Sequence, residues 1–209
     1  MNQILNTHNY YKMKEENIES NEYHLCKNES GFISLTVDSW KKMREKISTE
    51  GDYALVGISN IRELESLDIE FNHISNLEPL QKLKKLKELI IRYTEISDFS
   101  PLSSLPSLEI LNLEGTAIKD LRPLSRLKNL KYLDLSETKV SDLSPLSSLE
   151  NLEDIILFDC WESGLDISPL KKLKKLKKLY IWPNKSREHQ IEELNKRSPN
   201  LEILPPLKN

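Results

Sequence analysis

The apolar positions of this chain follow a repeating order rather than isolated helical or strand periods. Pro79, Pro101, Pro123 and Pro145 succeed one another at intervals of 22 residues, each directly before a leucine, and Pro169-Leu170 follows after 24. Aligned on these prolines, units begin at Leu64, Leu86, Leu108, Leu130 and Leu152. A degenerate sixth begins at Leu176, and a strand-like fragment, Leu201–Leu204, begins a seventh. Self-similarity at a fixed period of this size is the signature of a solenoid, in which each unit buries its apolar face against the next. Positions 1, 4, 6 and 11 of the unit are aliphatic, as in Leu108, Leu111, Leu113 and Ile118. The alternation around positions 3 to 7 predicts a half-buried strand, with 4 and 6 inward and 3, 5 and 7 toward solvent. A second inward row falls at positions 14, 17 and 20, as in Leu121, Leu124 and Leu127. The proline before position 17 disfavours a long helix, so the return side is expected to be extended or 3-10.

Position 9 carries Asn72, Thr94, Thr116, Thr138, Cys160 and Asn184. A small polar side chain there can satisfy backbone groups where the chain leaves the sheet. Cys160 is expected to fill this place as a small half-buried group, not as a reactive thiol.

Residues 108–151 match the pattern LxxLxLxxNxIxDLxPLxxLxx nearly throughout, with Thr in place of Asn. In this they resemble the leucine-rich repeat family, in its 22-residue SDS22-like class, which is also found in internalins. The resemblance covers about residues 64–185. It implies an α/β solenoid of horseshoe form, with a parallel sheet on the concave side, an extended or 3-10 convex side and helical caps at both ends. For activity it implies the binding of proteins on the curved sheet. The expected organisation is a flexible N-terminal tail over 1–35, an N-terminal cap over 36–63, repeats over 64–185 and a C-terminal cap over 186–209.

The ends carry their own signals. Asp38 or Ser39 can N-cap a helix whose Trp40, Met43 and Ile47 share one face, with Trp40 covering the first repeat. Tyr53–Ile61 then leads into the first strand. Ser186 can N-cap a second helix that turns Ile191 and Leu194 inward. Pro205-Pro206 after the last strand would block edge pairing. Residues 1–35 are rich in Asn, Glu, Lys and Ser without clean periodicity, and Tyr10, Tyr11, Tyr23 and Leu25 could form a short docking segment in that tail.

Composition narrows the function. The 209 residues include 36 leucines but five glycines, and 30 basic residues against 33 acidic ones give a net charge of −3. That near balance gives no global pull toward a polyanion or an anionic membrane. No apolar run is long enough to span a bilayer, and the first residues lack the apolar core of a secretory signal. The expected location is cytoplasmic, or outside by a route without such a signal. Cys26 and Cys160 form no metal-ligand pattern, and His8, His24, His73 and His189 are scattered. No metal, cofactor, catalytic triad or phosphate-binding loop is expected. The run of lysines from Lys171 to Lys178, with Lys82, Lys84, Lys85 and Lys87, makes a basic strip on the convex side. Without aromatic or Arg interleaving it points to solvated surface rather than to nucleic acid.

The register also assigns the concave face. Its first half is mostly charged: Asp68, Glu70, Glu88, Arg92 and Glu114. Its second half gathers Tyr132, Ile156, Phe158, Tyr180 and Trp182, with Ile110 and Asp134 adjoining and Trp161 in the two-residue insertion of the fifth unit. Clustered aromatic side chains on an exposed face are expected to anchor a partner. The expected function is thus a non-enzymatic module, adaptor or delivered effector, that docks a protein here as a monomer. Three alternatives stand beside it. The C-terminal cap could fold over Tyr180 and Trp182, the face could be a homodimer seam, or Asp68, Glu70, His73 and Glu88 could form a metal or acid–base site on the first unit.

Overall fold

Seven three-residue strands lie side by side in one parallel sheet, and every unit of the repeat contributes one. The computed structural model describes residues 14–19, 24–28, 31–70, 73–160, 164–182 and 185–204. Ahead of the repeats come β1 (Lys14–Glu19), β2 (His24–Lys27), β3 (Ile33–Leu35), α1 (Val37–Glu50) and α2 (Tyr53–Ile58). The parallel sheet is β4 (Ser66–Asp68), β5 (Glu88–Ile90), β6 (Ile110–Asn112), β7 (Tyr132–Asp134), β8 (Asp154–Ile156), β9 (Lys178–Tyr180) and β10 (Glu202–Leu204), with α3 (Glu188–Arg197) before its last strand.

Strand register follows the repeat. Leu67, Leu89, Leu111, Leu133, Ile155 and Leu179 stand against one another across β4 to β9 and are fully buried. The aliphatic side chains at positions 1, 6, 11, 14, 17 and 20 complete one continuous core. The convex side is a column of 3-10 turns, such as Arg122–Arg126 and Ser144–Ser148, each with a proline at its start. These turns have a shared cap. Asp98, Asp120, Asp142 and Asp166 each accept the backbone N–H two residues on at 2.8–2.9 Å. Three of them, Asp98, Asp142 and Asp166, also accept a serine hydroxyl. At position 9 the hydroxyls of Thr94, Thr116 and Thr138 donate to the carbonyl three residues back. The small polar side chain is used there as its position implies.

The register of the last strand differs from the sequence expectation by one residue. Ile203 stands against Leu179 and Leu204 against Tyr180, so Leu204 falls in the concave row.

The N-terminal region is a correction. β1, β2 and β3 form an antiparallel sheet, and Leu25, Cys26 and Leu35 are buried. Residues 24–28 and 31–35 are therefore part of the cap rather than of a flexible tail. Leu25 and Leu35 face each other across the β2–β3 pair and enter the core together. β3 covers the otherwise open edge of β4. Glu65 N–H donates to the Ile33 carbonyl at 2.7 Å, and Ile33 N–H donates to the Glu65 carboxylate at 3.0 Å. Tyr10, Tyr11 and Tyr23 lie outside the described residues.

The helices also shift from expectation. Thr36, not Asp38 or Ser39, caps α1, its hydroxyl accepting the Ser39 N–H at 3.3 Å. Met43 and Ile47 are buried beneath it, and the Trp40 indole N–H donates to the Asp68 carbonyl at 3.2 Å, which places Trp40 over the first unit. The stretch after it is helical, because Ala54, Leu55 and Ile58 form one buried face. Asp52 ties this helix to the first unit by accepting the Ser75 hydroxyl and the N–H groups of Ser75 and Asn76. At the other end a 3-10 turn, Lys185–Arg187, precedes α3, so Ser186 is not its N-cap. Leu194 is buried and Ile191 packs against the core. Pro205 and Pro206 lie outside the described residues.

Candidate interaction face on the concave sheet

Positions 3, 5 and 7 of successive units stand in rows across the concave face, neighbouring strands being about 4.8 Å apart. The expectation that all of them are open to solvent does not hold. Ser66, Glu88, Ile90, Asp134, Ser136 and Ile156 are buried. Side chains on adjacent parallel strands crowd one another on the inner side of a curve, so the small and central ones lose their solvent. The N-terminal hairpin adds cover at one end. The Asn28 amide donates to Glu88 Oε2 at 3.1 Å, and the Ser66 hydroxyl donates to the same oxygen at 2.6 Å.

The charged half is organised around one guanidinium. Arg92 pairs with Glu70 through Nε and Nη2 and with Glu114 through Nη1 at 3.3 Å. Burial opposes the Arg92 charge, but the two glutamates outweigh it and raise its pKa. Burial, and after it the Glu70 carboxylate, push the Asp68 carboxyl up to about 7. Burial likewise pushes Asp134 up to about 6, against the opposing hydrogen bond from Ser136 N–H. Asp68, Asn112 and Asp134 share one unit position, and each accepts the N–H two residues on, at 2.9–3.1 Å.

Position 8 has a backbone role. Tyr93, Gly115, Glu137 and Asp159 all have positive φ, between 49° and 66°. The Tyr93 ring lies over Gly115, where an added Cβ would fall 2.3 Å from the ring. Its hydroxyl sits between Glu114 (3.0 Å) and Glu137 (3.1 Å), spanning two units.

The apolar half comes together as expected in part. Phe158 meets Tyr180 edge-on, ring centroids 6.2 Å apart, and Trp182 at 6.0 Å. Trp182 is 47% exposed. Ile156 stands beside Tyr180 of the next strand, and Tyr132 is half-buried between Ile110 and Asp154. Leu204, half-buried beside Tyr180, extends this surface and was missed, because the sequence reading placed Leu201 at the first position of the unit. Trp161 lies outside the described residues. The described part of the C-terminal cap leaves Trp182 open. α3 sits on the convex column, where Gln190 accepts the Ile167 N–H at 2.9 Å and Glu193 pairs with Lys171 at 3.8 Å.

The other candidates separate. His73 is exposed and meets Glu95 at 2.7 Å, apart from the Ser66 and Asn28 contacts of Glu88. No group of three or more His, Cys, Asp or Glu side chains able to hold a metal occurs among the described residues. Cys160 donates to the Leu135 carbonyl at 3.3 Å, and burial pushes its thiol up to about 11, which leaves it protonated at neutral pH. Several lysines of the basic strip are engaged across units. Lys84 donates to the Ser104 carbonyl, Lys85 to the Glu63 carboxylate and Lys175 to the Asn151 side chain.

Two family models match the chain. Leucine Rich repeats (2 copies) matches residues 62–104 and 84–126, and Zer-1-like, Leucine-rich repeats matches 121–202. The chain is a leucine-rich repeat protein. Among solved structures, internalin C2 of Listeria monocytogenes is 28% identical, with a TM-score of 0.61 over 73% of this chain and 67% of that one. A leucine-rich repeat protein of Leptospira interrogans is 27% identical, with a TM-score of 0.63, over 71% of this chain and 39% of that one. A plant peptide hormone receptor, RGFR1, in complex with RGF2 shares the fold at 18% identity and a TM-score of 0.51, over 71% of this chain and 29% of that one. No curated protein matches the chain in sequence. Leucine-rich repeats of this kind serve as protein-interaction modules. No helix among the described residues is long and apolar enough to cross a membrane.

Proposed function

We propose that this leucine-rich repeat protein is a non-enzymatic interaction module that docks a partner protein on its concave sheet as a monomer. The observation that carries the reading is the Phe158–Tyr180–Trp182 cluster at the C-terminal half of that face, with Trp182 standing open. A large aromatic ring left in water beside two others is surface that a partner can desolvate, and such rings dominate interface energetics. The surrounding side chains favour binding over chemistry. The Asp68–Glu70–Arg92–Glu114 group lies on a shallow sheet, and Arg92 is saturated by carboxylates rather than aimed at a substrate. Truncating Phe158→Ala and Trp182→Ala separately, with partner capture and thermal unfolding measured on each, tests the reading. The expected result is capture reduced about tenfold or more with the unfolding transition preserved. Undiminished capture by both variants would overturn it.

A further inference from the structure

We propose that the segment Pro205 to Leu207 lies along the rim of the concave face with Pro206 against Trp182, as a strap that a partner must displace. This rests on the concave-face reading above and adds a regulation of the same site. The segment lies outside the described residues, so its course is inferred from β10, which it follows directly. Ile203 stands against Leu179 and Leu204 against Tyr180. The pairing holds to the last residue of β10, where the Ile181 N–H donates to the Leu204 carbonyl at 3.1 Å. Counted on in this register, Pro205 falls opposite Ile181 and Pro206 opposite Trp182. Side chains alternate along a strand, so Pro206 falls on the same face as Leu204. It is then the next member of the row that holds Phe158 and Trp182.

Both backbone positions suit proline. At position 6 of the unit the N–H donates to the following strand, Leu113 to Asp134, Leu135 to Ile156 and Leu157 to Tyr180. β10 is the outermost strand of its sheet among the described residues, so a donor at residue 205 would face no strand. Pro205 brings none. At position 7 the N–H is held by the side chain two residues back where that is Asp or Asn, as Asn112 holds Glu114 and Asp134 holds Ser136. Leu204 offers no such acceptor, and Pro206 has no N–H to satisfy. Each proline also keeps the residue before it extended, which carries the chain straight on from Leu204.

The chemistry of the segment suits the surface. Trp182 is 47% exposed beside Phe158, and Leu204 continues the apolar floor next to Tyr180. Pro205, Pro206 and Leu207 carry no charge. In the rows of this half Asp154 stands beside Lys178, and an uncharged occupant leaves that pair undisturbed. Because Pro206 is tethered two residues from Leu204, its local concentration at Trp182 is on the order of millimolar. A partner that anchors on Trp182 competes with it and binds in proportion to the fraction of strap released.

The test is nuclear magnetic resonance on the isotope-labelled full chain. A Trp182→Phe variant identifies the Trp182 indole N–H signal among those of the three tryptophans. The expected result is through-space contacts between the Pro206 ring protons and the Trp182 indole. The same proline protons should be shifted upfield by the indole ring and return to ordinary values in Trp182→Ala. In a full-length Pro205→Gly/Pro206→Gly variant of matched thermal stability, which no longer holds the segment extended, the Trp182 indole signal should move. Ordinary Pro206 shifts without contacts to Trp182, and an indole signal unmoved by the glycine variant, would overturn the strap. Capture reads the competition: the glycine variant should retain about twofold or more of the partner that wild type retains, and equal retention would overturn the displacement. The resonance signals are read without a partner. The strap can therefore fail while the Phe158 and Trp182 variants still establish the face as a docking site, and the docking reading can fail while the strap stands.

Discussion

Asp68, Asn112 and Asp134 occupy one place in the first, third and fourth units and hold the same backbone turn, each accepting the N–H two residues on. Asn112 shows that an amide suffices for this. The charge on the two aspartates is therefore surplus to the fold and is carried at a cost, which appears as their raised pKa values. Each binds its proton more tightly folded than unfolded. The stability it contributes is complete below the unfolded value near 4 and is lost as the pH rises through about 6 for Asp134 and about 7 for Asp68. Asp68→Asn is expected to raise the melting temperature relative to wild type at pH 8 and to have little effect at pH 4, as read by calorimetry across that range. Gly115 is the opposite case, a residue the backbone requires. Its φ of 66° and the Tyr93 ring above it leave no room for a side chain, so Gly115→Ala should cost about 1–3 kcal/mol in urea unfolding. The sequence contains no sign of this contact. Tyr93 and Gly115 share position 8 of adjacent units, and only the left-handed turn there brings the ring over the glycine.

At the scale of the element, the repeat strands and their 3-10 returns were legible because the same leucines, prolines and aspartates recur at one interval, and each does the same work every time. The N-terminal sheet was not legible. β2 and β3 are four and three residues long, set among Asn, Glu and Ser, and too short to show a period. Their apolar content, Leu25, Cys26 and Leu35, makes sense only once they face one another over the first unit. A chain lacking residues 1–35 separates the two views. A solvated tail could be removed at no loss. The packed hairpin predicts that truncation uncovers the core and the β4 edge, lowering the melting temperature and increasing protease sensitivity around the first unit. The last strand shows the same lesson more finely. Leu201 to Leu204 was recognisable as a strand, but its register came from pairing with β9, and the shift of one residue moved Leu204 onto the binding face.

Over the whole molecule, position 2 of the unit reads Glu65, Lys87, Glu109, Lys131, Glu153 and Lys177 in strict alternation. The side chains pair across neighbouring units, Lys87 with Glu65, Lys131 with Glu109 and Lys177 with Glu153, at 2.5–2.6 Å. Each exposed pair is worth little alone, but reversing one member places like charges on adjacent strands. Lys131→Glu should lower unfolding stability by about 1 kcal/mol, and added salt should shrink the difference. The candidate site was legible to a similar degree as the fold: the rows that carry Phe158, Tyr180, Trp182, Arg92 and Glu114 follow from the repeat register. Its depth was not. The burial of Asp134, Ile156 and Glu88 depends on curvature and on the Asn28 hairpin, neither of which the register encodes. The central claim is that this solenoid works through the aromatic half of its concave face. The most direct test is capture of a protein from native lysate by wild type and by a Phe158→Asp/Trp182→Asp variant of matched thermal stability. The account predicts a partner retained by wild type and absent from the double variant. The same partner retained equally by both would contradict it.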